Sequence, residues 1–236
     1  MAGLARDRTG GILNRIEFPV LLAGVLVAGG LWGFVEMLEV ARSAAPHTFD
    51  TQILLALREA GHPDRPIGPY WLPGVMRDIT SLGSASVLTM ATAFAAFYFL
   101  LTRRIAIGMF VVACVAGGQI MATLLKLGID RQRPDVVTHL VQESSLSFPS
   151  GHATMSAITY LTLAALASSF LHARVAKAYV LTLAVLMTLL VGISRLYLGV
   201  HWPSDVIAGW CVGFAWAMLC WLALRLLRQR GADKAG

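Results

Sequence analysis

The chain has 236 residues, of which 57% are hydrophobic and only 14% charged, and its formal net charge is +6. This composition excludes an ordinary soluble domain, because the apolar residues form runs close to the roughly 20 residues that a helix needs to cross a bilayer. Most basic residues flank those runs, so the positive-inside rule explains the charge better than nucleic-acid binding does. We therefore predict a single integral membrane domain over residues 1–236. Its expected partner is the lipid bilayer, and we do not expect it to bind nucleic acid.

The apolar runs predict an all-α bundle of six membrane-spanning helices. The segment Ala41–Ser81 is too polar to span, since it carries four basic residues, four acidic residues and five prolines. Its first half predicts a short amphipathic helix on the membrane surface, and the prolines from Pro63 to Pro73 break that pattern afterwards. The predicted spans are Phe18–Val35, Ser84–Leu101, Ile105–Leu127, Gly151–Leu171, Ala178–Val200 and Asp205–Leu224.

The charged flanks of these runs predict the orientation of the spans. With six spans both termini lie on one side, and the segments on that side hold eleven basic residues, including Arg6, Arg8 and Arg15. The segment Ala41–Ser81 on the opposite side has a net charge of zero. We therefore predict a plasma (inner) membrane protein with both termini in the cytoplasm. The polar loop Gly128–Pro149 then lies at the outer, periplasmic or extracellular, face.

Three short motifs fall on that predicted outer face. Since proline suits the first turn of a helix, Pro203 predicts a helix that begins between His201 and Asp205. Asp205 could then hold the imidazole through one ring nitrogen and leave the other nitrogen free to attack. The motifs are Lys126, six residues, Arg133-Pro134; Pro149-Ser150-Gly151-His152; and Ser194-Arg195, five residues, His201, three residues, Asp205.

In this order and on these loops, the motifs resemble the three signatures of the type-2 phosphatidic acid phosphatase family. These are membrane lipid phosphate phosphatases, and they share their active-site pattern with the vanadium haloperoxidases. The motifs cover Lys126–Asp205, and the six apolar runs extend the resemblance over most of the chain. The resemblance implies a six-span lipid phosphatase with its active site at the outer membrane face.

The residue chemistry agrees with this resemblance. A phosphate ester keeps negative charge on its oxygens in the transition state, and cations placed beforehand stabilise that charge. Lys126, Arg133 and Arg195 supply such cations. Ser150 and Gly151 lie at a predicted helix start, where free N–H groups and a partial positive charge bind anions.

The resemblance also implies roles for the two histidines and the aspartate. His201 would be the nucleophile that forms a phosphohistidine, and Asp205 would hold its tautomer and stabilise its charge. His152 would protonate the leaving oxygen and then activate water. No cofactor is expected, because the chain shows neither a cluster of acidic ligands for magnesium nor a zinc motif.

Other interpretations of these residues stay open at this stage. His201 and Asp205 could form a surface pair that caps a helix, and Lys126, Arg133 and Arg195 could be basic residues at the membrane interface. For Arg131 a charge pair with Asp130 that orders the loop is as plausible as contact with a second phosphate. His139, Glu143, Arg77 and Asp78 are interpreted as structural polar residues of loops.

We expect a metal-independent hydrolase that acts on a lipid phosphate or diphosphate at the outer leaflet, without an obligate protein partner. The resemblance implies several possible lipid substrates, and the compact chain with its predicted external site favours an undecaprenyl-type polyprenyl diphosphate. Phosphatidylglycerolphosphate, phosphatidate and a glycolipid phosphate of the lipid A type are the alternatives. A lipid-to-lipid phosphotransferase is the rival enzyme, and a lipid-phosphate binding or transport protein is the rival without catalysis.

Overall fold

The computed structural model describes residues 18–43 and 47–233. Within these residues the chain forms eight helices and one two-stranded sheet. The basic residues Arg6, Arg8, Arg15 and Lys234, which support the predicted orientation, lie outside the described residues. The helices are α1 Phe18–Arg42, α2 Thr48–Ala56, α3 Leu72–Ser81, α4 Ala85–Leu101, α5 Ile105–Leu127, α6 Gly151–Ser168, α7 Arg174–Tyr197 and α8 Pro203–Asp233; the strands are β1 Arg58–Glu59 and β2 His62–Pro66.

The segment between α1 and α4 is more ordered than its prolines suggest. The strands β1 and β2 form a small antiparallel hairpin, so the predicted all-α class needs this one correction. Gly61 makes the tight turn possible with a φ of 77°, and prolines are tolerated because each strand of a two-stranded sheet has a free edge. Helix α3, which was not predicted, carries Pro73 in its first turn, where the missing N–H costs nothing.

Four helices in the described part of the chain are long and apolar enough to cross a membrane, namely α1, α5, α7 and residues Pro203–Leu227 of α8. Helices α3 and α4 meet at 45° and together make a fifth candidate. The remaining predicted span, α6, has ten buried residues among its 18 and packs against α5, α7 and α8. A helix enclosed by other helices does not need an apolar surface all round, which explains its polar sequence.

Close packing of α6 on α8 aligns the beginnings of these two helices. A Cβ atom added at Gly213 would lie 2.7 Å from Ala157 Cβ, and one at Gly209 would lie 3.0 Å from Ser150 O. Only glycine allows the backbones to approach this closely. The backbone N–H of Ser150 then donates to Asp205 O at 3.1 Å. The first turns of α6 and α8 therefore lie side by side, at the position of the second and third motifs.

Helix α2 was predicted to lie on the membrane surface, but one of its faces is buried. Leu54 packs with Val137 and Trp202, and Asp50 is completely buried. The Trp202 indole also donates to Gln132 O at 3.1 Å. Helix α2 therefore fastens the loop between α5 and α6 onto the start of α8.

Candidate active site

The structure brings the three motifs to one end of the helical bundle. Lys126 lies in the last turn of α5, Arg195 in the last turn of α7, and His152 in the first turn of α6. His201 precedes α8, and Asp205 lies in the first turn of that helix, as the position of Pro203 predicts. A cavity of about 540 Å³ at this end is lined by Lys126, Arg133, Glu143, Gly151, His152 and His201.

His201 and Asp205 form a buried pair at the base of this cavity. Nδ1 of His201 lies 3.5 Å from Oδ2 of Asp205, a long contact between the ring and the carboxylate. The same carboxylate oxygen accepts hydrogen bonds from Ser147 Oγ at 2.5 Å and from the Trp202 backbone N–H at 3.0 Å. These two donors fix the Asp205 carboxylate, and the carboxylate in turn orients the His201 ring.

The second ring nitrogen of His201 faces the cations of the site. Nε2 lies 3.3 Å from Nη1 of Arg133. Burial lowers the pKa of His201 to about 4; it outweighs the opposite effect of Asp205, and the nearby Arg195 and Arg133 act in the same direction as burial. The imidazole is therefore neutral near pH 7, which is the form that a nucleophile requires.

Arg133 is held rigidly in the loop. Its Nε donates to Ser145 O at 2.8 Å and its Nη1 donates to Val200 O at 2.6 Å. Lys126 Nζ and Arg133 Nη2 both donate to Ser145 Oγ, at 3.0 and 3.1 Å. The two cations of the first motif thus converge on one small region of the cavity wall.

Glu143, which the sequence indicates only as a structural polar residue of the loop, lines the cavity. Its carboxylate contacts Arg195 Nη2 and lies 3.6 Å from Arg133 Nη2. Burial would raise the pKa of Glu143, but the Arg195 and Arg133 guanidinium groups hold it below its usual range. Arg195 is 1% exposed and lies behind Glu143, which itself lines the cavity. The corner between these two arginines therefore already binds an oxyanion.

The start of α6 forms another wall of the site. Ser150 is the residue before the helix, and its backbone is extended, with φ −64° and ψ 112°. Its buried hydroxyl has no hydrogen-bond partner among residues 18–43 and 47–233. Gly151 and His152 of the first turn line the cavity beside it, and the N–H groups at the start of a helix favour the binding of an anion.

Arg131 was a candidate for contact with a second phosphate, and the structure places it elsewhere. It lies behind Asp205, 9% exposed, and its guanidinium donates to Asp205 Oδ1 at 2.5 Å and to Asp50 Oδ2 at 2.8 Å. The contacts fit the other interpretation, a charge pair that orders the loop, with Asp50 and Asp205 as partners rather than Asp130. Asp50 was missed because only the tertiary fold brings α2 to this position.

An apolar groove continues from the charged end of the cavity. It runs between α4 and α5 and is lined by Leu88, Ala93, Val112 and Val115. Gln119 and Thr123 are polar exceptions on α5, and Gln119 Nε2 donates to Thr123 Oγ1 at 3.3 Å. The site therefore joins a charged end to a long apolar path within the bundle. Within the described residues, no group of three or more His, Cys, Asp or Glu side chains is arranged to hold a metal ion.

Comparisons with known proteins agree with this geometry. A family model described as the PAP2 superfamily matches residues 107–229. Phosphatidylglycerophosphatase B of Bacillus subtilis (strain 168) is 36% identical over 144 residues, which cover 61% of this chain and 70% of that protein. The undecaprenyl-diphosphatase of Sulfolobus acidocaldarius is 32% identical over 150 residues, which cover 60% of this chain and 66% of that protein.

A solved structure shares the fold as well. The crystal structure of a transmembrane PAP2 type phosphatidylglycerolphosphate phosphatase from Bacillus subtilis has a TM-score of 0.74 and 29% sequence identity. The match covers 89% of this chain and 96% of that one. The segment matched by the family model contains α6, α7, most of α5 and α8, and all three motifs from Lys126 to Asp205. The chain belongs to the PAP2 superfamily, and it is a membrane-embedded lipid phosphate phosphatase.

Proposed function

We propose that the protein removes phosphate from a membrane lipid through a phosphohistidine on His201. The observation that carries this proposal is the position of the ring, with Nδ1 3.5 Å from Asp205 Oδ2 and Nε2 3.3 Å from Arg133 Nη1. A guanidinium group has donors and no acceptor, so it pairs with Nε2 only when that nitrogen carries a lone pair. This tautomer, with Nδ1–H towards Asp205, is the one that attacks phosphorus through Nε2.

In the first step the Nε2 lone pair of His201 attacks the phosphorus atom, and the bond from phosphorus to the leaving oxygen breaks. His152 gives that oxygen a proton. The phosphorylated ring becomes cationic, and the Asp205 carboxylate stabilises it. Lys126 and Arg133 stabilise the charge on the non-bridging phosphate oxygens.

In the second step His152, now neutral, takes a proton from a water molecule. The water oxygen attacks phosphorus, the nitrogen–phosphorus bond breaks, and its electron pair returns to Nε2. Inorganic phosphate leaves, and both histidines return to their starting forms. The chain's own residues supply every proton and charge in this cycle, so neither a metal, a cofactor nor a protein partner is required.

Ser150, Gly151 and Arg195 complete the phosphate site in this proposal. The unpaired Ser150 hydroxyl and the first N–H groups of α6 can donate to phosphate oxygens. Arg195 now contacts Glu143, and a phosphate dianion carries more charge than this carboxylate. We infer that the substrate takes over part of the contacts of Glu143 when it binds.

Rapid quenching with a substrate labelled in its terminal phosphate tests the intermediate. The protein should retain a label that survives base and is lost in acid, as a phosphoramidate does. His201→Asn, which keeps the size of the side chain, should show neither label nor turnover. Substantial residual turnover in this variant would mean that the nucleophile is misassigned.

The groove favours a glycerophospholipid phosphate as the substrate. Thr123 and Gln119 lie about one and two helical turns below Lys126 on α5, which are depths that the ester groups of such a lipid can reach. A relative is named for phosphatidylglycerophosphate, which belongs to this class. The undecaprenyl-type diphosphate, which the sequence analysis favoured, is the second candidate. It is supported by the relative named undecaprenyl-diphosphatase, while Arg131 no longer supports it.

Phosphate release by the purified protein from a panel of lipids separates these substrates. The panel contains phosphatidylglycerolphosphate, phosphatidate, a lipid A phosphate and undecaprenyl diphosphate. A higher kcat/KM for the diphosphate than for all the glycerophospholipids would refute the preference. Product analysis with an added lipid acceptor identifies a phosphotransferase, and lipid binding without any phosphate release would identify a transport protein.

We also propose that the single domain crosses the plasma (inner) membrane six times, with cytoplasmic termini and the active site outside. In support, the site residues lie at one end of α5, α6, α7 and α8, and basic residues lie at the other end. Those basic residues are Arg103, Arg104, Arg174 and Lys177. The six spans are then α1, the bent pair α3–α4, α5, α6, α7 and α8.

A membrane-impermeant maleimide tests this orientation in intact cells. Gln142→Cys, in the loop of the site, should react, whereas His172→Cys, in the loop between α6 and α7, should react only after the membrane is opened. Each substitution is made in a background in which Cys114, Cys211 and Cys220 are replaced by alanine. The opposite labelling pattern would overturn the orientation.

A further inference from the structure

A buried chain of charged groups continues behind the catalytic pair, on the side away from the cavity. Arg131 Nη1 donates to Asp205 Oδ1 at 2.5 Å, and Arg131 Nη2 donates to Asp50 Oδ2 at 2.8 Å. Asp50 and Asp205 are completely buried, and Arg131 is 9% exposed. Three ionisable groups therefore share a site that water barely reaches, and Asp50 comes from α2, far away in the sequence.

Asp50 is fully engaged in this site. Its Oδ1 accepts from the Ser204 backbone N–H at 2.8 Å, and its Oδ2 accepts from Ser204 Oγ at 2.6 Å as well as from Arg131. It therefore caps the first turn of α8, the turn that carries Asp205. A buried carboxylate is costly unless its lone pairs are satisfied. Here they are satisfied by Arg131, which contacts Asp205, and by Ser204, which precedes Asp205 in the chain.

The charges of the three groups sum to −1. Arg131 alone, in contact with Asp205, would cancel the negative charge that faces His201. Asp50 is the second carboxylate on the same guanidinium, and it restores that charge. The arrangement thus holds Asp205 by a strong charged hydrogen bond and still leaves it an effective anion.

We propose that Asp50 is a positioning residue of the hydrolysis, which balances Arg131 so that Asp205 presents a net negative charge to His201. This inference rests on the proposed function, in which His201 becomes cationic when it is phosphorylated. A negative charge placed behind the ring stabilises that state more than the neutral one. Asp50 therefore acts on the chemical step without contact with substrate.

Other charges also surround His201, and they remain in place when Asp50 is changed. They come from the other elements that pack around the ring. These groups are Lys126 on α5, His152 on α6, Arg195 on α7, Asp205 on α8, and Arg133 and Glu143 on the loop between α5 and α6. A change at Asp50 therefore alters the balance of charge at the ring by one unit and leaves the groups that bind phosphate unaltered.

The test compares Asp50→Asn with the double variant Asp50→Asn/Arg131→Gln. The single variant leaves Arg131 to neutralise Asp205, so kcat should fall on the order of tenfold with KM unchanged. The acidic limb, which is the fall of kcat/KM as the pH decreases, should move to lower pH by on the order of one unit. The double variant restores a net charge of −1, so kcat and the pH of the acidic limb should both return towards the values of the unmodified protein.

Two controls separate charge from structure. Ser204→Ala removes a hydroxyl that donates to Asp50 and accepts from Arg131, without changing any charge. It should lower thermal stability without moving the fall of kcat/KM in acid to another pH. Asp64→Asn makes the same charge change on the exposed hairpin, where the Asp64 side chain is 64% exposed, and it should leave both readouts unchanged. Initial rates are measured between pH 3 and 7 with the purified protein, and activity is checked again at pH 7.

Three results would overturn the inference. In the first, the single variant has the same kcat as the unmodified protein and loses kcat/KM in acid at the same pH. In the second, the double variant has a kcat no higher than that of the single variant. In the third, both variants fail to fold. The last result would show that Asp50 serves the fold instead of the charge at His201. A failure of the proposed function is distinguishable, because His201→Asn would then remain active.

Discussion

The packing of α6 on α8 makes a prediction that does not depend on any catalytic residue. In Gly213→Ala, the new methyl group would lie 2.7 Å from both Ala157 Cβ and Thr154 O. Carbon atoms pack at about 3.5–4.0 Å, so α6 must move away from α8 by nearly that deficit, about 1 Å. The start of α6 carries His152, with Ser150 just before the helix, and this movement separates both residues from His201.

Two opposing effects set the change in the free energy of unfolding. Overpacking destabilises the protein by about 1–3 kcal/mol, while the higher helix propensity of alanine stabilises it by about 1 kcal/mol. We therefore expect a net loss of about 1 kcal/mol and a melting temperature lower by a few degrees. Activity should suffer more, by on the order of 100-fold in kcat, because a misplacement of about 1 Å has that effect on a reacting geometry.

Phosphate release and a thermal melt of the purified protein in detergent measure the two effects. The matched control is Gly29→Ala on α1, where an added Cβ has no atom within 4 Å. It should keep full activity and melt at the same or a slightly higher temperature. A Gly213→Ala protein that is as active as this control would refute the reasoning that the close contact of α6 and α8 aligns the two histidines.

Three further predictions concern the site itself. Because burial lowers the pKa of His201 to about 4, its neutral form persists in mild acid, so kcat/KM should hold down to about pH 5 and then fall; a fall centred near pH 6.5 would contradict this assignment. Arg195→Gln should lower kcat/KM on the order of 100-fold by removing a buried guanidinium, and Arg195→Lys should lose less; equal activity of both with the unmodified protein would remove Arg195 from the site. Vanadate, which mimics five-coordinate phosphorus, should inhibit the protein while EDTA should not, and the reverse pattern would indicate a metal-dependent reaction.

The helices of the bundle could be predicted from the sequence because their signals are local. The boundaries of α5 agree with the prediction, and α6 begins at Gly151 as expected. Pro203 correctly marked the start of α8. Long apolar runs and the residues that end them act within a few turns of the chain, so a sequence pattern is enough to locate them.

The three motifs were predicted as one site for a different reason. Alternate helices reverse direction in a bundle, so residues at the end of α5, the start of α6, the end of α7 and the start of α8 meet at one end. The structure places Lys126, His152, Arg195 and His201 together in this way. Connectivity and helix direction, both readable from the sequence, were sufficient for that inference.

What the sequence by itself determined is the family, the positions of the motifs and the main helices. Only the tertiary structure decided which charges meet: Glu143 between two arginines, and Asp50 and Asp205 on Arg131. Such contacts join residues far apart in the chain, and whether a charge is buried with a partner or exposed to water changes its energy by several kcal/mol. The same residue types in another fold would be surface polar groups, as the sequence interpretation of Glu143 assumed.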